Sequence, residues 1–306
     1  MEKLDRLGWA AGQSCVSYGA RIGIRVNDPS ALESLVERLP PGWKPAPSPV
    51  VERLYSLVVG GAGARPNMRR FNVLYGDLEK LARSMELEQV FESFESNLQL
   101  YVAEMARRRV FVHAGVVGWG GRAIVIPGRS FSGKTTLVAE LVRAGATYYS
   151  DEYAVLDSRG RVHPYPKPMA IREEGMAKQR KYSVQTFGGL SGDKPLPVGM
   201  VVVSEYRAGA RWRPRLLSAG QGALALLGNT VSARRKPGIA LATLERVVSQ
   251  ASVLKGIRGD AKEVVDIILK MCGGSMRVTA GGHCYTHATA VHRVSLRRNE
   301  ATEAIP

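Results

Sequence analysis

Residues 20–26, ARIGIRV, alternate apolar and polar side chains as a half-buried strand does. ALESLVERL (31–39) then changes to the three- and four-residue spacing of an amphipathic helix, with Asp28-Pro29-Ser30 as its cap and first turn. PPGWKPAPSP (40–49) is a proline-rich loop, and the apolar runs 50–60 and 69–76 read as two strands joined by the turn GAGARPN. From 77 to 109 the spacing predicts one long helical stretch with a break at Met85. Leu87, Val90, Phe91, Phe94, Leu98 and Val102 form its apolar stripe.

The pattern changes at Arg107-Arg108-Arg109. Residues 110–119 and 122–128 predict two strands around Gly120-Gly121, and a helix over 135–144 is stopped by Gly145. ATYYSDEYAVLD (146–157) is rich in strand formers and turns at SRG, and GMVVVSEYR (199–207) predicts a further strand. Helices are expected over 219–231 and 239–250, a strand over 252–258, and a helix after Asp260 as cap. Beyond Gly273 the apolar repeat fades. The chain thus divides into a small α/β domain (1–109), a larger domain (110–275) and a loosely structured tail (276–306).

Between the predicted strand 122–128 and helix 135–144 stands GRSFSGKTT, which fits the phosphate-binding pattern G-x-x-x-x-G-K-[ST] in full. Such a turn points successive backbone N–H groups at one spot, and the helix start adds partial positive charge. Gly128, Ser130, Ser132, Gly133, Lys134, Thr135 and Thr136 are the expected nucleotide contacts, with Lys134 reaching the β- and γ-phosphates and the Thr135 hydroxyl a ligand of Mg²⁺. The expected cofactors are ATP and Mg²⁺. No N-K-x-D motif supports a GTPase, and VVVSE (201–205) puts a serine before Glu205, which makes a weak distal acid. The acids nearest the loop are Asp151-Glu152, sixteen residues after Thr135.

VHAGVV with His113 fifteen residues before Gly128, the loop itself, LVRAGA and YYSDEYAVLD occur in that order. In this the chain resembles the HPr serine kinase/phosphorylase family, across about residues 110–170. The resemblance implies an α/β fold with a P-loop core of the HPr kinase/phosphoenolpyruvate carboxykinase type. It also implies ATP-dependent transfer of phosphate to a serine hydroxyl of a peptide or protein. Carried over, Asp151 is the catalytic base and Glu152 its metal-side partner beside Thr135, although the order of the two acids stays open. His113 either belongs to the site or packs in the core. The family usually has two aspartates, so Glu152 departs from its pattern. The family's second signature is missing, since GIRGDAK (256–262) does not match it, and phosphorylase activity is not expected. A nucleotide-binding regulator or scaffold is the alternative, and a small-molecule acceptor is a variant of the kinase reading.

Composition adds a setting. The net charge is +16, with 43 Lys and Arg against 27 Asp and Glu, and the excess lies entirely after position 100. Such a field favours anionic partners. No helix-turn-helix, zinc-finger or aromatic RNA-binding pattern accompanies it, so nucleic acid is not an expected partner. Three scattered cysteines, no signal-peptide pattern and no long apolar run point to a cytoplasmic protein without a membrane span. A homo-oligomer is compatible with the sequence. Lys167 and Arg172, on a further strand candidate, and Arg211, Arg213 and Arg215 are either contacts for phosphate or substrate or solvated charges, and the second is the expectation. His163 is expected to be structural, and His283, Cys284, His287 and His292 do not have zinc-site spacing.

Overall fold

The computed structural model describes residues 2–60, 71–129, 132–172, 179–274, 276–278 and 284–286. The N-terminal part begins with a short helix α1 (Glu2–Asp5), followed by β1 (Ala11–Ser17), β2 (Ala20–Val26), α2 (Ser30–Val36) and β3 (Lys44–Pro45). Then come β4 (Arg53–Val58), β5 (Asn72–Gly76), β6 (Glu79–Ser84) and the long helix α3 (Leu87–Met105). Six strands pair in the order β3-β1-β2-β4-β5-β6. One face of this sheet buries Ile22, Ile24, Tyr55, Leu57 and Leu74 against Leu35 of α2 and against Val90, Phe94, Leu98 and Val102 of α3. Each such side chain, fully buried, contributes about 1.5–3 kcal/mol before chain entropy is counted.

The expected helix over 77–109 is corrected here: residues 79–84 form β6, paired antiparallel with β5. Asp77 adopts a left-handed φ of 53°, and its carboxylate accepts the Leu54 amide at 2.9 Å and pairs with Arg53. That tight turn overrides the helix propensity of LEKLAR, and the helix starts only at Leu87.

The larger part comprises β7 (Val110–Trp119), β8 (Arg122–Pro127), α4 (Lys134–Arg143), β9 (Thr147–Ser150), β10 (Tyr153–Leu156), β11 (Arg161–His163), β12 (Met169–Arg172), β13 (Gln179–Tyr182) and β14 (Leu196–Tyr206). After these follow β15 (Arg215–Leu216), α5 (Ala219–Leu227), α6 (Pro237–Gln250), β16 (Ser252–Arg258) and α7 (Ala261–Cys272). An eight-stranded sheet runs β11-β10-β7-β8-β14-β16-β15, with β9 also on β7. β11 pairs with β14 as well as with β10, so the sheet curls back on itself at that edge. β8, β14 and β16 are parallel neighbours. α4 and α7 cover one face through Leu137, Leu141, Val264 and Ile268. α5 and α6 cover the other through Leu226, Leu244 and Val247. The fold is mixed α/β.

Most of the local expectations for this part hold. Gly120 and Gly121, both at positive φ, turn β7 into β8, and Gly145 at φ 97° follows α4. Asp260 stands at the N-cap of α7 with extended backbone, but its carboxylate makes no capping bond. In the tail, β17 (Met276–Val278) and β18 (Cys284–Thr286) pair with each other. The rest of 276–306 lies outside the described residues, as do His283, His287 and His292.

Candidate active site

The central strand β7 gathers the site. Its second half pairs with β8, from Ala114↔Pro127 to Trp119↔Arg122. Its first half pairs with β10, from Val110↔Leu156 to His113↔Tyr153. His113 therefore sits where the two ladders meet: its carbonyl accepts the Gly128 amide at 3.2 Å, and Ala114 N–H donates to the Glu152 carbonyl at 3.1 Å. Segments far apart in sequence are brought to one end of the sheet by a single strand.

A cavity of about 430 Å³ opens there. Its lining includes His113, Lys134, Thr135, Thr136, Asp151 and Glu152. Gly133 and the hairpin residues Ala170, Ile171 and Gln179 complete it. Of the residues expected from sequence, His113, Gly133, Lys134, Thr135, Thr136, Asp151 and Glu152 thus converge. Gly128 and Ser132 form the approach to the loop: a Cβ on Gly128 would fall 2.7 Å from the Ser132 hydroxyl, which is buried and has no hydrogen-bond partner among the described residues. Ser130 lies outside the described residues. Gly133, at φ 78°, precedes α4 in a conformation that L side chains adopt only with strain.

Lys134 is 6% exposed, and its ammonium donates to the Arg129 carbonyl at 2.7 Å. Burial lowers its pKa, while Glu152 and Asp151 oppose that shift. Asp151 is 8% exposed, and burial pushes its carboxyl above the usual range. The Tyr148 hydroxyl, the Ala170 N–H and the Thr135 hydroxyl all donate to it and only partly counter that push. The Tyr148 hydroxyl lies 2.8 Å from both Asp151 Oδ1 and the Lys167 carbonyl. The one hydroxyl proton is thus shared between two acceptors, which weakens its hold on the Asp151 carboxylate. Burial outweighs these donors, which makes Asp151 a stronger base than an exposed aspartate. Glu152 stands in the cavity mouth, its carboxyl raised by the surrounding protein and by the charge of Asp151. His113 Nε2 is 3.7 Å from Glu152 Oε1. Burial and the Lys134 charge hold that imidazole down to about 4, so near neutral pH the contact is between a neutral ring and a carboxyl.

The donors suit Mg²⁺, which takes one or two carboxylates together with water and substrate phosphates rather than an all-protein cage. Thr135, Asp151 and Glu152 present hard oxygens to one cavity. Among the described residues no group of three or more His, Cys, Asp or Glu converges on a point.

Three contributors were not legible in the chain. Arg258, 2% exposed at the end of β16, donates to the Gly133 carbonyl at 2.8 Å and braces the loop from a position 125 residues away. Lys167, expected as a solvated charge, is instead ion-paired with buried Glu95 of α3. Lys181 of β13 holds the other Glu95 oxygen at 2.7 Å. A helix of the N-terminal part thereby anchors the hairpin β12–β13, whose residues wall the cavity. The local clue was a glutamate inside the apolar stripe of α3, but its partners lie more than 70 residues away. Arg211, Arg213 and Arg215 are exposed, as expected, and so is Glu205. The side chains of Arg172 and Cys284 are outside the described residues. His163 pairs with Asp157 at 3.0 Å, which fits its expected structural role. No helix among the described residues is long and apolar enough to cross a membrane. In comparisons with known proteins, no family model and no curated protein matches the chain.

Proposed function

We propose that the protein is an ATP- and Mg²⁺-dependent kinase that transfers the γ-phosphate to a hydroxyl, most simply a serine of a peptide or protein. In this it resembles HPr serine kinase without the phosphorylase activity. The core, on this reading, is the P-loop core of that family. One observation carries the proposal: the loop ending in Lys134-Thr135 and the buried, basic Asp151 face each other across one cavity.

Lys134 and the backbone N–H groups at the start of α4 hold the β- and γ-phosphates. Thr135 and Glu152 would hold Mg²⁺, which when bound would neutralise phosphate charge. Asp151 accepts the proton of the attacking hydroxyl as its oxygen bonds to the γ-phosphorus. The β–γ bridging P–O bond then breaks, and ADP leaves with that electron pair. A raised pKa suits this task, because a base works best when its pKa approaches the working pH. His113, neutral, borders Glu152 without adding positive charge. Unpaired Cys15 and Cys272 are in keeping with a cytoplasmic setting.

The test is transfer from γ-labelled ATP, with Mg²⁺, to a pool of serine peptides and small hydroxyl compounds. Label on a serine supports the proposal, and label on a small molecule narrows it to the small-acceptor variant. Mg-ATP binding with no transfer to any acceptor contradicts it and favours a nucleotide-binding regulator.

A further inference from the structure

A second cavity, of about 400 Å³, lies at the junction of the two sheets and shares no lining residue with the first. It is lined by Tyr18, His163, Pro164 and the three successive arginines Arg107, Arg108 and Arg109. The arginines form the short link between α3 and β7. The turn of the β1–β2 hairpin closes on them: Arg107 N–H donates to the Tyr18 carbonyl at 3.0 Å, and a Cβ on Gly19 would meet the Arg107 side chain at 3.0 Å. Tyr18 is held at φ 50°, a region that costs a bulky L residue on the order of 1 kcal/mol and that recurs at ligand clamps. Its ring is fixed edge-on to Phe111 at 5.0 Å.

The charges are unbalanced. Arg107 pairs with Glu52 at 2.8 Å. Among the described residues Arg108 and Arg109 have no carboxylate partner; Arg109 donates only to the Arg108 carbonyl, at 2.9 Å. His163 is already engaged by Asp157. Two guanidinium groups without a carboxylate partner among the described residues thus line one concave site and are available to an anion. Guanidinium forks match phosphate oxygens in geometry, and a doubly charged tetrahedral group accepts more of their N–H donors than a carboxylate does. The volume is that of a small-molecule site.

We infer that this cavity is a second anion site, built to bind a small molecule through a phosphate group. It does not depend on the kinase reading. An unbroken series of aromatic contacts joins it to the first cavity, Tyr18 to Phe111, Phe111 to Tyr153 at 5.6 Å, and Tyr153 to His113 at 5.9 Å.

The experiment is calorimetric titration of the full chain with inorganic phosphate, in a Lys134→Ala background that silences the loop. Saturable binding is expected, weakened at least tenfold when Arg108→Ala and Arg109→Ala are added. Arg108→Gln alone, at an exposed position, gives the same reading should the double change unfold the chain. Citrate in a parallel titration separates phosphate from carboxylate recognition, and phosphate should bind more tightly. Absent binding in the Lys134→Ala chain, binding indifferent to the arginines, or citrate binding as tightly as phosphate each overturns the proposal.

Discussion

His113 and Asp157 show how opposite surroundings tune single side chains. His113 is held down to about 4 by burial and by Lys134, against an ordinary value near ~6.5. The unfolded chain therefore binds the extra proton first, and this histidine's contribution to stability is complete above about pH 6.5 and lost as pH falls toward 4. By NMR its ring resonances should stay constant from pH 8 to 5; a midpoint near 6.5 would show that the ring is not desolvated. Burial would raise the carboxyl of Asp157, but the His163 ring, the Arg161 and Arg159 amides and the Arg161 guanidinium together bring it down to about 2. The sign is the reverse of that for a raised group: the stabilisation is present above about pH 4 and disappears as pH falls through 2. Asp157→Asn should cost on the order of 2 kcal/mol at pH 7, and the gap from wild type should close in acid. Urea unfolding at pH 7 and at pH 3, where the gap should already have narrowed, measures both, and a gap independent of pH would point to packing instead.

Elements position these residues, and two long-range braces give the elements their purpose. Glu95 on α3 ties down Lys167 and Lys181 on either side of the cavity wall. Burial alone would raise its carboxyl, but the two lysines hold it below the usual range. Glu95→Gln should cost about 1.5–3 kcal/mol, the worth of a charge-assisted hydrogen bond, and should raise KM for ATP. An unchanged KM would make the brace structural only. Arg258→Ala frees the Gly133 carbonyl and should weaken Mg-ATP binding by about tenfold, or ~1.4 kcal/mol, by calorimetry. Unaltered affinity would remove Arg258 as a positioning residue. Neither brace was legible in the sequence, because ion pairs and hydrogen bonds across 72 to 125 residues leave no local pattern. What was legible was local: the Gly120-Gly121 hairpin, the strand–loop–helix around Lys134, and the acids after it. β6 was missed because its turn, Asp77-Leu78, lacks the glycine that marks a tight hairpin, while LEKLAR carries helix propensity. MAIR was legible as a strand candidate, whereas QRKY was not, since β13 gains its pairing from β12.

In the whole molecule, the two sheets keep separate apolar cores, and the junction between them holds an aromatic cluster of Phe111, Tyr153 and Tyr165, with Tyr18 packed on it, as well as charge. Glu95, Lys167 and Lys181 lie on one side of it, and Arg107–Arg109 line the other. The excess of positive charge after position 100 draws anions toward the part that contains the first cavity and supplies the arginines of the second. The account rests on the loop and Asp151 acting on one phosphate. The most direct test compares wild type with Asp151→Asn for Mg-ATP affinity and for phosphoryl transfer to the accepted hydroxyl. The account predicts affinity changed by less than about threefold and transfer reduced by about 10²–10⁴, the usual contribution of a general base. Transfer at the wild-type rate in Asp151→Asn would contradict it.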